Sequence, residues 1–197
     1  MELVATHLID GLLVTSVERT LIDLAATTSF ASGVMAFDFA LGGRDPLTTK
    51  ERTRTELDRL TLTRGLRRIE NVLNFAVTNS GSPGESLSRA RIFELGFPAP
   101  TLQVEFRHHT GILDRVDFDW EPFEHIGEFD GHGKYRNPRF MSGLTAEEVV
   151  IREKQREDRL RTQRPHFTRW EWPDALDPRR LGAILTNAGL PRTLGSR

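Results

Sequence analysis

The 197-residue chain contains no cysteine. That excludes disulfides and thiolate zinc sites, and it suits a reducing cytoplasm. No apolar run approaches the roughly 20 residues needed to cross a bilayer. The opening MELVATHLID lacks the basic stretch and long apolar core of a secretory signal. Neither sign of charge dominates: the formal net charge is −1. Any phosphate-bearing partner must therefore be met by local clusters of Lys and Arg rather than by a global field. Tyrosine occurs once and tryptophan three times, and no repeat or low-complexity tract is present. What is present is a chain with 38% apolar residues, enough to bury a core, and 28% charged residues.

Two regions are expected, residues 1–80 and 81–197, separated at the loop composition NSGSPG (79–84). The first reads as helical. In TSVERTLIDLAATT (15–28), Thr15 stands three residues before Glu18, as in a capping box, and Val17, Leu21 and Leu24 follow at helical spacing. Further helices are expected over 30–41, ended by Gly42-Gly43, over 48–60 and over 65–78. The second region predicts a helix over 85–96 and strands over 101–107 and 112–120 around the turn HHTG. A strand over 123–131, a long charged helix over 144–163, a strand over 166–172 and a helix over 177–189 follow. The order αβββαβα is a mixed α/β layout with a central mixed sheet flanked by helices.

The predicted strands carry acids where a buried strand would be apolar. Strand residues two apart share a face, so Asp117 and Asp119 are expected to point one way, and Glu128 and Asp130 in IGEFDG (126–131) to lie together, with Cα atoms roughly 7 Å apart. Crowded carboxylates repel, and a hard divalent ion such as Mg²⁺ relieves the repulsion. The plainer reading is a set of solvated acids at strand ends. Glu85, at the start of the helix after the boundary loop, is a further acid from distant sequence. His132 in GHGK is placed to act as a general base, or is an ordinary loop residue. His108-His109 falls in the hairpin turn, and His125 and His166 are read as surface positions on strands.

Glu85 in GESLSR, Asp117 in RVDFDW, Glu128 and Asp130 in GEFDG, and Lys134 in GKY occur in the order found in PD-(D/E)XK nuclease-like domains. The chain resembles the branch similar to very-short-patch-repair endonucleases, as found in actinobacterial and phage-borne proteins. Those proteins often carry an abortive-infection-antitoxin-like winged-helix segment upstream. The likeness extends through GLLVTSVERTLIDLA (11–25), ESLSRARIFELGFPAPTLQV (85–104), EKQREDRLRTQ (153–163) and FTRWEW (167–172). A full winged helix is not expected to fit ahead of residue 11. The resemblance implies a restriction-endonuclease-like core and Mg²⁺ or Mn²⁺ as cofactor. It makes Asp117 the central metal ligand, Glu128 the second acid, and Glu85 a helix-borne acid that orients metal or water. Two departures stand out: Val116 replaces the proline before the aspartate, and Asp130 occupies the place of the usual lysine. Lys134, or else Lys154, then supplies the cation that positions water and steadies charge on phosphate.

DNA is the implied partner. The predicted phosphate-facing residues are Arg136, Arg152, Lys154, Arg156 and Arg159, of which Arg152, Arg156 and Arg159 share a helix face. Glu153, Glu157 and Asp158 on the same helix offer internal ion pairs instead. Arg64, Arg67 and Arg68 form a second basic cluster, Arg139 flanks the loop, and Tyr135 is placed to stack on a base. A homodimer and a protein partner in a defence or toxin–antitoxin system complete the expectations. The rival reading is a DNA-binding regulator or antitoxin-like protein that keeps the nuclease fold as scaffold. A pure interaction module is the third reading.

Overall fold

The computed structural model describes residues 6–60, 64–131 and 146–192. Within them the chain is mixed α/β, with eight α-helices, a four-stranded mixed sheet and a separate two-stranded sheet. It divides into two compact units, Met1–Ala90 and Arg91–Arg197.

The first unit is not helical throughout. β1 (Thr6–Ile9) and β2 (Leu12–Thr15) pair as an antiparallel hairpin, with Leu8 opposite Leu13. The turn is Asp10-Gly11, both at positive φ (49° and 81°). Asp-Gly between two apolar runs is a strong local hairpin signal, because both central residues of a type I′ turn need positive φ. The helices α1 (Val17–Thr27), α2 (Phe30–Leu41), α3 (Lys50–Arg59) and α4 (Leu66–Phe75) follow. The cap of α1 is Ser16, whose hydroxyl accepts from the Arg19 N–H at 3.1 Å, and not the expected Thr15–Glu18 box. Glu18 instead accepts a hydrogen bond from the Thr48 hydroxyl at 2.6 Å. Leu21, Ile22 and Ala25 of α1 are buried, as are Val34 and Phe37 of α2 and Ile69, Val72 and Leu73 of α4. Gly33 lets α2 and α4 approach closely: a Cβ there would lie 3.1 Å from a Val72 methyl. A buried ion pair ties α2 to α5 (Pro83–Glu94), with Arg89 donating to both oxygens of Asp38 at 2.8 and 3.0 Å.

The second unit is built on one sheet of order β3-β4-β5-β6. β3 (Thr101–Arg107), β4 (Leu113–Trp120) and β5 (His125–Asp130) are successive antiparallel neighbours, and β6 (His166–Glu171) runs parallel to β5. The long helix α6 (Ala146–Arg161) lies between β5 and β6 in sequence, as a parallel pair requires. Two short helices close the unit, α7 (Trp172–Leu176) and α8 (Pro178–Asn187). Pro173 sits in the first turn of α7, where its missing N–H leaves no bond unmade, so it starts a helix and does not merely end the strand.

The two faces of this sheet differ. On one, Val116 and Ile126 bury against Leu160 of α6, with Val104, Phe106 and Phe167 around them. Each such aliphatic side chain contributes about 1.5–3 kcal/mol when fully buried. The other face is aromatic: Phe118 and Trp170 have ring centroids 5.2 Å apart, and the Trp120 indole donates to the Pro98 carbonyl at 2.7 Å. Gly127 lies under both indoles, and a Cβ there would come within 2.6 Å of Trp170 and 2.8 Å of Trp120. Only a residue without a side chain leaves room for that packing.

Candidate functional site

Strand alternation fails at Asp117. Asp114 bonds Arg159, and Val116 packs on Leu160, so even-numbered β4 residues face α6. Farther along, odd-numbered Asp119 meets Arg164, just past α6, while Phe118 and Trp120 stack together against the aromatic side. The switch of face occurs between Val116 and Phe118. On β3, Gln103 at the same level has φ +55°, a conformation few side chains adopt. The pairing of β4 with β5 runs from Trp120↔His125 to Phe118↔Gly127. Beyond it the Asp117 side chain takes over: its carboxylate accepts from the Phe129 N–H at 2.9 Å and from the Gln103 amide at 3.4 Å. Strand irregularities of this kind re-aim a side chain, and they concentrate near functional sites. They also correct the expectation that Asp117 and Asp119 share a face. The period-two rule holds only along an unbroken strand.

Glu128 and Asp130 do lie together. Both face Arg169, which stands directly opposite Glu128 in the β5–β6 register; its Nε is 3.3 Å from Glu128 Oε2 and 3.8 Å from Asp130 Oδ2. Arg156 of α6 holds Glu128 in a fork, Nη1 to Oε2 at 3.1 Å and Nη2 to Oε1. Arg156 also donates to the Arg115 carbonyl at 2.8 Å and to Glu153 at 3.1 Å. Arg169 reaches Glu153 at 2.6 Å and Glu157 at 3.2 Å. Glu157 takes a further bond from Arg161 at 2.9 Å. The cluster thus joins four carboxylates (Glu128, Asp130, Glu153, Glu157) to three guanidiniums (Arg156, Arg161, Arg169). Burial alone would lower the pKa of Arg156, but its hydrogen bond to Glu128 and the charges of Glu128 and Glu153 outweigh that and raise it. Arg169 is likewise raised, burial being outweighed by the charges of Glu128, Glu153 and Asp130.

Two more clips join the neighbourhood of α6 to β4. Arg159 grips Asp114 with two bonds, at 2.9 and 3.0 Å. Buried His108 puts Nε2 2.9 Å from the same carboxylate, without hydrogen-bond alignment. Burial would raise the Asp114 carboxyl, but the Arg159 hydrogen bond and charge pull it below the ordinary range. Arg164 holds Asp119 at 3.0 and 3.3 Å.

The other sequence candidates are placed as follows. Glu85 belongs to the first unit, where it ties down the start of α5: its carboxylate accepts from the Gly81 N–H and the Ser82 hydroxyl, both at 2.9 Å, and its own N–H donates to the Ser82 hydroxyl at 3.2 Å, as an N-cap does. Lys134 and Arg136, with His132, Tyr135 and Arg139, lie outside the described residues. Arg152 and Lys154 are exposed on α6 and make no ion pair among the described residues, whereas Arg156 and Arg159 turn toward the sheet. Arg64 and Arg67 are exposed, and Arg68 binds the Ala26 and Thr28 carbonyls that end α1. Trp170 is core, and Trp172 meets Phe129 edge-on. His125, read as a surface position, is buried: it bonds the Thr168 hydroxyl at 2.9 Å and stacks on His166.

Arg169, Glu153 and Glu157 were missed as site residues. The alternation of FTRWEW puts Arg169 on the face opposite Trp170, and Glu153-Arg156-Glu157 has helical i, i+3, i+4 spacing. Neither signal says that the two meet.

The oxygen donors of Asp117, Glu128 and Asp130 are of the type a hard divalent ion takes. Their arrangement does not fit one. Both Glu128 oxygens are held by Arg156, Asp117 accepts a backbone N–H, and among the described residues no group of three His, Cys, Asp or Glu is placed to hold a metal ion. No helix among the described residues is long and apolar enough to cross a membrane. The chain matches no protein-family model, no curated protein and no solved structure.

Proposed function

We propose that this chain is a nuclease-like protein that handles DNA, and that its second unit is a restriction-endonuclease-like core. What supports the core is the chain order β3-β4-β5-α6-β6, with three antiparallel neighbours and a last strand returning parallel to β5 through the helix. What supports the site is Asp117 leaving the ladder beside Phe129, between Glu128 and Asp130. Arg156 and Arg169 add the guanidinium groups that recognise phosphate. The resemblance further suggests Mg²⁺ or Mn²⁺, a place in phage defence or repair, and a homodimer or a defence-system protein as partner.

Of the two forms this reading can take, the geometry favours a catalytically weak or inactive DNA-binding regulator that uses the nuclease fold as scaffold. The observation that carries it is Glu128: the acid a nuclease needs to hold its ion is already neutralised by a guanidinium fork from Arg156 and a further contact from Arg169. The hydrolytic form, cleavage of DNA phosphodiesters, is favoured by Asp117 bonding the backbone N–H of Phe129, the residue between Glu128 and Asp130.

Plasmid DNA incubated with the full chain and Mg²⁺ or Mn²⁺, beside Asp117→Ala, separates the two. Cleavage that Asp117→Ala abolishes establishes the hydrolase. No cleavage, with a gel shift that weakens steeply as salt rises, establishes the scaffold. Neither cleavage nor a shift ends the nucleic-acid reading altogether.

A further inference from the structure

We propose that a cavity in the first unit, lined by Phe39 and Asp45, takes a single unpaired nucleobase, with guanine favoured. This rests on the reading of the chain as a protein that handles DNA, and it names unpaired strands as what the first unit holds.

The cavity measures about 310 Å³ and lies where the end of α2 and the loop after it meet the start of α5. Its apolar lining is Phe39, Leu47 and Pro83, and its polar lining includes Ser80, Ser86 and Asp45. Phe39 is 70% exposed and Leu47 54%, although Phe37, Ala40 and Leu41 beside them are buried. Large apolar side chains exposed singly need no explanation. Two at one cavity, one of them an aromatic ring, make a platform on which a flat ring can stack. The volume is at the small end for ligand sites, with room for one planar ring system and none for a duplex.

The polar lining selects the kind of ring. The Ser86 hydroxyl donates to Ser80 at 2.8 Å, and the Ser80 hydroxyl donates to the Ser82 carbonyl at 3.2 Å. Both hydrogens are spent, and the hydroxyl oxygens keep capacity to accept. Asp45 is exposed, makes no ion pair among the described residues, and its carboxylate accepts without donating. The start of α5 is already filled by an anion of the protein itself, the Glu85 carboxylate on the Gly81 N–H. A lining of acceptors repels phosphate oxygens and seeks N–H groups. Guanine stacks well and shows the most of them on one edge, N1–H and the N2 amino group. In a duplex those donors are spent on cytosine, so the cavity can take the base only when it is unpaired. Arg44, the exposed residue before Asp45, supplies a cation for the phosphate that stays outside.

The test is fluorescence anisotropy of the full chain with a short fluorescein-labelled oligothymidylate carrying one central dG. The comparisons are the same strand with an abasic site in place of the dG, the all-thymidine strand, and the dG strand annealed to its complement. Wild type is expected to bind the dG strand about fivefold or more tightly than the abasic strand. Phe39→Ala is expected to erase that difference, Phe39→Trp to keep it, and neither to change affinity for the duplex. Phe39 is exposed, so its replacement leaves the core intact. Asp45→Asn is expected to bring the dG strand down to the affinity of the all-thymidine strand; a preference that survives overturns the assignment of Asp45. If the dG and abasic strands bind equally, or if Phe39→Ala leaves their difference intact, the cavity is refuted. Binding of the duplex alone refutes the cavity and leaves the DNA reading standing. Binding of neither strand nor duplex overturns that reading and the inference with it.

Discussion

Each unit of this protein holds a buried acid with arginine, and the two arrangements are built on different terms. In the first unit, Asp38 and Arg89 are closed off, with side-chain exposures of 1% and 8%. Asp38 also accepts the Val77 N–H at 2.8 Å, and Arg89 also donates to the Phe75 carbonyl at 2.9 Å, over the Phe75 ring. Little of either side chain meets solvent. In the second unit, Glu128 is as buried, but its arginines are partly exposed and shared among other acids. The chemistry of the pairs is the same. Access to the cation makes one a structural pin and leaves the other exchangeable.

The sharpest way to break that comparison is Asp38→Ala. It strands the Arg89 charge in the core, and a loss of about 3–5 kcal/mol is expected in urea unfolding. A loss below about 1 kcal/mol would show the pair to be no more than a surface bridge.

Next in size is an effect of pH confined to the second unit. His125 has its pKa pushed down to about 4, by burial first and by His166 second. An unfolded imidazole titrates near 6.5. Between those values the unfolded chain binds a proton that the native one refuses, so this contribution to stability is complete above about 6.5 and is lost as pH falls to about 4. The loss amounts to about 3 kcal/mol. Subtracting the stability–pH curve of His125→Gln from that of wild type isolates it; parallel curves would refute it.

Gly127→Ala ranks third. The added methyl meets two indole rings, and overpacking of this kind costs about 1–3 kcal/mol. A melting temperature equal to that of wild type would mean the rings move aside freely. Smallest is Glu153→Gln, which removes one of several acids shared by Arg156 and Arg169 and is expected to change stability by less than about 1 kcal/mol. A loss as large as that of Asp38→Ala would abolish the distinction between pin and exchangeable cluster.

Much of the fold was legible because its signals are local. The helices over 30–41 and 85–96 and the strands over 101–107 and 166–172 are found within two residues of their expected bounds. The β1–β2 hairpin was legible too, in Asp10-Gly11, yet passed for part of a helical region because its flanking runs are short. The pairing of Glu128 with Asp130 followed from alternation. The separation of Asp117 from Asp119 did not, because alternation cannot register a strand that switches faces. The arginines of α6 were read by their spacing as one basic face. Spacing says which side chains share a face, but not whether that face looks at solvent or at a sheet full of acids.

What the sequence determined by itself, then, is the succession of helices and strands, since hydrophobic period, caps and turn residues act over a few neighbours. Only the tertiary structure decided the partners of the charges: Arg89 with Asp38 across 51 residues, Arg164 with Asp119 across 45, Arg169 with Glu128 across 41. The reason is that a charge is satisfied by whatever lies within a few ångströms of it, and backbone folding, not order along the chain, brings those groups together.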